Sequence, residues 1–402
     1  LKTILTLTIL FSSHSFAAPK RPELAIVDLS IAEKLEIPIA HTRSDLGVAV
    51  AKLSEADKLK LSKYMHENKR CGGFELIDLP KSTTLNTKLK NPYADLFKHM
   101  KPQAKKRLTV KRDGLRYDKK IADLTEEVSP QRLKDHVSWM SNYTTRHHSG
   151  STNNNHVNDL KGRLENLIKE KSDYVKVDLI NHSRTGQRTV RARIEGRSRP
   201  NEIVLLGAHF DSINQYGFLD NRAPGADDDA SGSANLLEVF ELLLKAERPA
   251  RSVEFMWYAA EEIGLVGSSE VAQTYRQENR DVVSVLQLDM TLFPGSGELT
   301  MAYMTDFTSP ELTTYFEDLN RLYVRAGVQK DRCGYGCSDH ASWHRQGYAA
   351  VMPFEAAFDK MNQNIHTAKD VISQSVSFTH AAAFSKLALA YVMSVGNSEV
   401  RF

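Results

Sequence analysis

The chain has 402 residues, 41% apolar and 26% charged, with a formal net charge of +3. The length exceeds one ordinary domain, so a catalytic domain plus a further element is expected, and the apolar content is that of a soluble protein. Lys and Arg are nearly matched by Asp and Glu, which excludes a nucleic-acid-binding surface and leaves no partner named by electrostatics.

Residues 1–17 read as a secretory signal peptide: Lys2, an apolar stretch through Ile4, Leu5, Leu7, Ile9, Leu10 and Phe11, then Ser15-Phe16-Ala17 as a small-x-small cleavage site. The apolar run is about half of the ~20 residues that a spanning helix needs, which favours a leader over an anchor. No later stretch reads as long and apolar enough to span. The expected product is secreted, periplasmic only in transit, without stable membrane association.

Residues 18–127 are lysine-rich and carry no catalytic cluster. Gly47-Val-Ala-Val-Ala51 predicts a strand, Ser54-Glu-Ala-Asp57 opens a helix with a capping-box-like signal, and Phe74-Glu-Leu-Ile-Asp78 predicts a return strand. Residues 99–121, basic and poor in apolar side chains, read as an exposed connection. The segment is either a propeptide, cut near Lys119 to Ser129, or a retained accessory domain. It also holds Cys71, the cysteine left over beside Cys333 and Cys337.

From Val128 to Phe402 the pattern becomes alternating strands and helices. Tyr174 to Ile180 and Thr189 to Ile194 alternate as a hairpin, and the runs beginning at Ile203, Val253 and Val282 predict buried strands. Ser233 to Leu244 and Ser268 to Arg276 predict helices between them. The expected fold is α/β: a three-layer αβα catalytic domain with a mixed, mainly parallel twisted sheet, preceded by a small α/β N-terminal prodomain.

Reactive side chains fall at the ends of those strands: His209 after the first, Glu261 and Glu262 after the second, Asp289 after the third. Carboxyl ends of strands are where open α/β sheets bind ligands. In Pro224-Gly-Ala-Asp-Asp-Asp-Ala-Ser-Gly232 three adjacent carboxylates repel one another unless cations neutralise them. His209, Asp228, Glu262, Asp289 and His366 together make two imidazoles and three carboxylates, a set suited to a pair of divalent ions. His209 and Asp211 project from one face of an extended segment, so Asp211 can accept from the second ring nitrogen. Adjacent Glu261 and Glu262 can point to different parts of one cavity, one toward metal and one toward its water. Cys333 and Cys337, in Cys-Gly-Tyr-Gly-Cys, fit a disulfide in an exported protein, and a zinc knuckle lacks the second cysteine pair it needs.

The motifs Gly-Ala-His-Phe-Asp-Ser212, Ala-Pro-Gly-Ala-Asp-Asp-Asp-Ala-Ser-Gly232, Tyr-Ala-Ala-Glu-Glu-Ile-Gly-Leu265, Gln-Leu-Asp-Met-Thr291, Cys-Gly-Tyr-Gly-Cys-Ser-Asp-His-Ala-Ser-Trp343 and Ile-His-Thr367 occur in that order. By them the segment from Val128 onward resembles the bacterial leucyl aminopeptidase family, co-catalytic di-zinc peptidases in the superfamily of glutamate carboxypeptidase and the transferrin receptor. The resemblance implies two Zn²⁺ per subunit, one bound by His209 and Asp289, the other by Glu262 and His366, with Asp228 bridging and a cis peptide bond joining Asp228 to Asp229. It implies Glu261 as general base, support of the ligands by Asp211, Asp229 and Ser338, and a Cys333–Cys337 disulfide. It places Tyr335 near the substrate carbonyl and Met290, Met352, Phe354, Phe358 and Ile365 around an apolar first side chain such as leucine, although each of these apolar residues also fits ordinary core. The implied enzyme is a monomeric, secreted aminopeptidase acting on peptides with a free N-terminus. A binding protein on the same scaffold would have lost ligands, and all five are present. A carboxypeptidase needs a cation for the terminal carboxylate; Arg332 and Arg345 stand near the loop motifs, and the resemblance gives neither that task.

Overall fold

The computed structural model describes residues 22–45, 47–68, 73–77, 93, 115–152, 154–216 and 219–402. The leader expected over 1–17, most of the basic connection and Cys71 lie outside the described residues.

The N-terminal unit comprises β1 (Glu23–Asp28), α1 (Leu29–Lys34), β2 (Ile39–Arg43), β3 (Val48–Leu53), α2 (Glu55–Glu67) and β4 (Phe74–Ile77). Its sheet, in the order β2-β3-β1-β4, is antiparallel throughout. Period-two alternation sends Ala25, Val27, Ala49, Ala51 and Leu53 to one face and Ile26, Val48 and Val50 to the other. The signal at Ser54 is a reciprocal cap: the Ser54 N–H donates to Asp57 Oδ2 at 2.9 Å and the Asp57 N–H to Ser54 Oγ at 3.2 Å.

The larger unit is built on β5 (Val175–Ile180), β6 (Thr189–Ile194), β7 (Arg199–His209), β8 (Arg251–Tyr258), β9 (Asp281–Gln287) and β12 (Ala350–Val351), ordered β12-β9-β7-β8-β6-β5. The pairings from β12 to β8 are parallel and those from β8 to β5 antiparallel, as expected of a mixed, mainly parallel sheet. A second sheet joins β11 (Gly327–Asp331), β10 (Thr300–Met304) and β13 (Pro353–Phe354). Along β7, Val204, Leu206 and Ala208 enter the core with α6 (Ala230–Leu243) and α10 (Phe378–Asn397), whereas Ile203 and Leu205 pack on the opposite side with Val271, Ala272 and Tyr275 of α7 (Val266–Gln277). Helices therefore cover both faces, giving three layers.

One expectation changes. By length and composition α10 is long and apolar enough to cross a membrane, contrary to the sequence reading; here it is largely buried among Phe316, Leu236 and Phe255 of the core. Lys119–Glu126 forms helix α3, and its Ile121 and Leu124 are buried with Val128 in the same core. The Asp118 N–H donates to the Tyr323 hydroxyl at 2.9 Å, and Glu126 pairs with Lys386 of α10 at 3.1 Å. The two apolar residues, three apart among lysines and acids, form a narrow helical stripe that composition conceals.

Candidate active site

The chain brings the five candidate ligands together at the carboxyl ends of the central strands of the main sheet. His209 ends β7, Glu261 and Glu262 follow β8, Asp289 follows β9, and Asp228 lies in the turn entering α6. His366 comes from the loop between β13 and α10. All five are buried. The Asp228–Asp229 peptide bond is cis. Ala260, Met290 and His366 have φ of 53°, 55° and 55°, a left-handed conformation uncommon away from glycine.

Asp228 lies between the histidines, with His209 Nε2 2.8 Å from its Oδ1 and His366 Nε2 2.8 Å from its Oδ2. His209 Nε2 is 3.7 Å from Asp289 Oδ1, and His366 Nε2 is 3.1 Å from Glu262 Oε2. Two triads result, His209-Asp228-Asp289 and Asp228-Glu262-His366, each with its donor atoms within 4.8 Å of one another. Glu261 belongs to neither and lies beside them.

The supporting residues connect these segments. Asp211 Oδ1 is 3.4 Å from His209 Nδ1, and its carboxylate accepts the N–H groups of Glu261 at 3.0 Å and Glu262 at 3.3 Å. Asp229 caps α6 by accepting from the Gly232 N–H at 2.8 Å, and also accepts from the N–H groups of His209 at 3.1 Å and Met290 at 3.3 Å. The Ser338 hydroxyl donates to Asp289 Oδ2 at 2.5 Å.

Three supports escape the sequence reading. Asp370 accepts the N–H groups of Asp227 and Asp228, both at 3.0 Å, and so holds the turn that carries Asp228. Arg146, fully buried, donates to the carbonyls of Phe210, Met140, Pro224 and Gly225 at 2.6 to 3.1 Å. Gln187 donates to the Arg146 carbonyl at 3.0 Å and accepts the Ala260 N–H at 2.9 Å. Asp370 closely follows the Ile-His-Thr367 motif, a signal that could have pointed to it. Nothing local marked Arg146, three of whose four partners are backbone carbonyls more than sixty residues away.

The electrostatics are those of a cation site. Burial lifts Glu262 to about 7 and Glu261 well above the ordinary carboxylate range, with Asp339 and Asp289 adding to the second. Burial opposes ionisation of Asp228, but the His209 and His366 imidazoles outweigh it and hold the carboxyl far below its usual value. Burial would also lower His366, yet Glu262 and Asp228 raise it to about 10. Asp289 Oδ1, Glu262 Oε1 and Glu261 Oε2 have no hydrogen-bond partner among the described residues. Inward-facing carboxylate oxygens of this kind, crowded and desolvated, are relieved by divalent cations.

Cys333 and Cys337 form a disulfide, with Cα atoms 6.1 Å apart. Tyr335, Met290, Met352, Phe354 and Ile365 are buried in one cluster, with Phe358 packed against it. The Tyr335 and Phe358 rings are 6.4 Å apart, and those of Phe354 and Phe358 5.9 Å. The same cluster contains Val27, Met65, Phe74 and Leu76, so the N-terminal unit joins this wall.

A three-layer α/β scaffold with this donor set is that of a metal-dependent hydrolase, and the relatives that the chain matches make it a metallo-aminopeptidase. Residues 189–392 match the profile of peptidase family M28. The chain is 35% identical over 299 residues to Leucine aminopeptidase 1 of Uncinocarpus reesii, covering 71% of this chain and 75% of that one. It is 33% identical over 294 residues to Leucine aminopeptidase 1 of Aspergillus fumigatus, covering 70% and 75%. The solved Legionella pneumophila LapA aminopeptidase superposes with a TM-score of 0.81 at 26% identity, over 95% of this chain and all of that one. Legionella LapB, at 23% identity and a TM-score of 0.75 over 94% of this chain and all of that one, shares the fold. The chain belongs to peptidase family M28.

Proposed function

We propose that this protein is an exported, monomeric two-zinc aminopeptidase that releases apolar, leucine-like residues from peptides with a free N-terminus, and that residues 22–77 cover its site until they are removed. The observation that carries the reading is the pair of triads sharing Asp228, with Glu261 beside them and in neither. Imidazole and carboxylate donors in threes fit zinc, leaving room for water and substrate. His209 and Asp289 would hold one ion, Glu262 and His366 the other, with Asp228 bridging.

When bound, zinc supplies Lewis-acid polarisation of the scissile carbonyl and acidification of a water. Glu261, lifted by burial, takes the proton from the attacking water and delivers it to the leaving amine. Asp211 orients both partners in this step, because it contacts His209 and the Glu261 backbone together. Asp229 and Ser338 hold His209 and Asp289 in register. Tyr335 donates to the oxyanion, and Met290, Met352, Phe354, Phe358 and Ile365 form the wall for the first side chain.

Covering of the site is supported by the cluster that joins Phe74 and Leu76 to Tyr335, Met290 and Ile365. Because α3 is integral to the catalytic core, cleavage belongs between Ile77 and Leu115 rather than at Lys119 to Ser129. The test is hydrolysis of leucine-p-nitroanilide by the zinc-loaded full chain before and after limited proteolysis, beside an N-blocked analogue. A rise in activity confined to the unblocked substrate, with an N-terminus upstream of Leu115 and two zinc per chain, supports the reading. Cleavage of the blocked substrate defeats aminopeptidase action, and an uncut chain that is already fully active defeats the covered site.

A further inference from the structure

β4 lies against the catalytic unit as an extended peptide would. The Leu76 N–H donates to the Gly264 carbonyl at 3.3 Å, and the Ser269 hydroxyl donates to the Leu76 carbonyl at 3.4 Å. Gly264 closely follows Glu261 and Glu262, and its φ of +107° requires glycine. A Cβ there would approach the Phe74 ring to 2.8 Å, so the missing side chain also makes room for the strand. On the other side, Phe74 and Glu75 line a cavity with Tyr335, Gly336, Phe307 and Arg345.

Glu75 pairs with Arg345, the last residue of α9 (His340–Arg345), and both are buried. Arg345 also lies over the Phe307 ring, 4.9 Å from its centroid, and against Gly336, where a Cβ would come within 2.9 Å of Nη2. The guanidinium is thus held beside the Cys333–Cys337 loop by the catalytic unit, while its carboxylate partner comes from the N-terminal unit. Departure of β4 leaves a preorganised cation without its counter-charge in a groove next to Tyr335. A planar guanidinium in that position is suited to a carboxylate.

We infer that the groove filled by β4 is the subsite for the part of the substrate beyond the scissile bond, and that Arg345 is a specificity residue there, binding a substrate carboxylate in place of Glu75. The inference rests on the covered-site reading above. The carboxylate is either the C-terminus of a short peptide or an acidic side chain following the released residue.

The full chain, zinc-loaded and activated by limited proteolysis, is assayed on Leu-Ala-Ala against its C-terminal amide, and on Leu-Glu-Ala-amide against Leu-Gln-Ala-amide. A charge-assisted hydrogen bond predicts that kcat/KM is about tenfold higher for the carboxylate member of at least one pair. The first pair reports a C-terminal carboxylate and the second an acidic side chain. Arg345→Met should bring the preference close to parity, with Arg345→Lys intermediate. Parity within both pairs in the activated wild type overturns the inference while leaving aminopeptidase action intact, and that comparison stands even where Arg345→Met fails to fold. A preference that survives in Arg345→Met also overturns it. Hydrolysis of none of the four peptides overturns it together with the aminopeptidase reading.

Discussion

The N–H of Glu261 donates to the Asp211 carboxylate at 3.0 Å, and the same carboxylate lies 3.4 Å from Nδ1 of His209. One fully buried side chain thereby sets the orientation of a candidate metal ligand and the backbone position of the candidate base. Asp211→Asn retains the volume and gives up the charge. It should lower kcat by about 10- to 100-fold, the usual cost of losing a partner to a metal-binding histidine. Steady-state kinetics and a metal count on the activated enzyme check it; an unchanged kcat would remove Asp211 from the machinery.

Glu261 stands outside both triads. Glu261→Gln should therefore keep the zinc complement and lose about 10²- to 10⁴-fold in kcat, the range for removing a general base. Elemental analysis alongside the assay separates this from loss of metal. A variant that also loses zinc would mean that Glu261 is a ligand.

Asp228 is common to the two triads, whereas His366 belongs to one. Asp228→Ala should impair binding of both ions, and His366→Ala principally one. Titration with zinc under a competing chelator measures the stoichiometry. Equal loss in the two variants would contradict the shared role of Asp228.

Arg146 satisfies four buried carbonyls, three of them on the segments that carry His209 and Asp228. Arg146→Met strands those acceptors in a dry interior. An expected loss of about 3 to 5 kcal/mol in unfolding free energy follows from comparable buried cations. Urea denaturation of the full chain reads it directly, and a loss below 1 kcal/mol would show that water reaches the cavity.

His156 is buried against Gln187, whose side-chain nitrogen is 2.8 Å from its Nε2, and burial depresses its pKa to about 3. The depressed value means that the unfolded chain binds the proton first, so stability is greatest above the unfolded pKa near 6.5 and falls as the solution is acidified toward 3. Between pH 6.5 and 5 this residue should remove about 2 kcal/mol. Unfolding titrations of the wild type and His156→Gln at the two pH values test it, the variant being expected to show the shallower decline.

Much of this organisation was legible in the sequence because its causes are local. The apolar runs of β7, β8 and β9 and the helices between them follow from periodicity. The strand-end positions of His209, Glu261 and Asp289 follow from those runs. Ser54 and Asp57 announce a helix start by themselves, since a cap involves residues three apart. The candidate ligands could be named before their distances were known, because each sits in a short motif through which the chain resembles a known peptidase family.

What only the tertiary structure decided involves partners distant along the chain. Arg146 has no recognisable pattern, since backbone carbonyls carry no sequence signal. The start of helix α3 falls in the stretch that reads as a basic connection, and only the packing of Ile121 and Leu124 into the core with α10 marks it as part of that unit. The apolar run of α10 cannot by itself distinguish a membrane span from a core helix; packing on both sides makes that distinction. The position of Glu75 beside Arg345 and the Tyr335 loop depends on long-range docking of one unit on another. Local chemistry named the site, whereas its cover and its groove come from surfaces that meet only when the chain has folded.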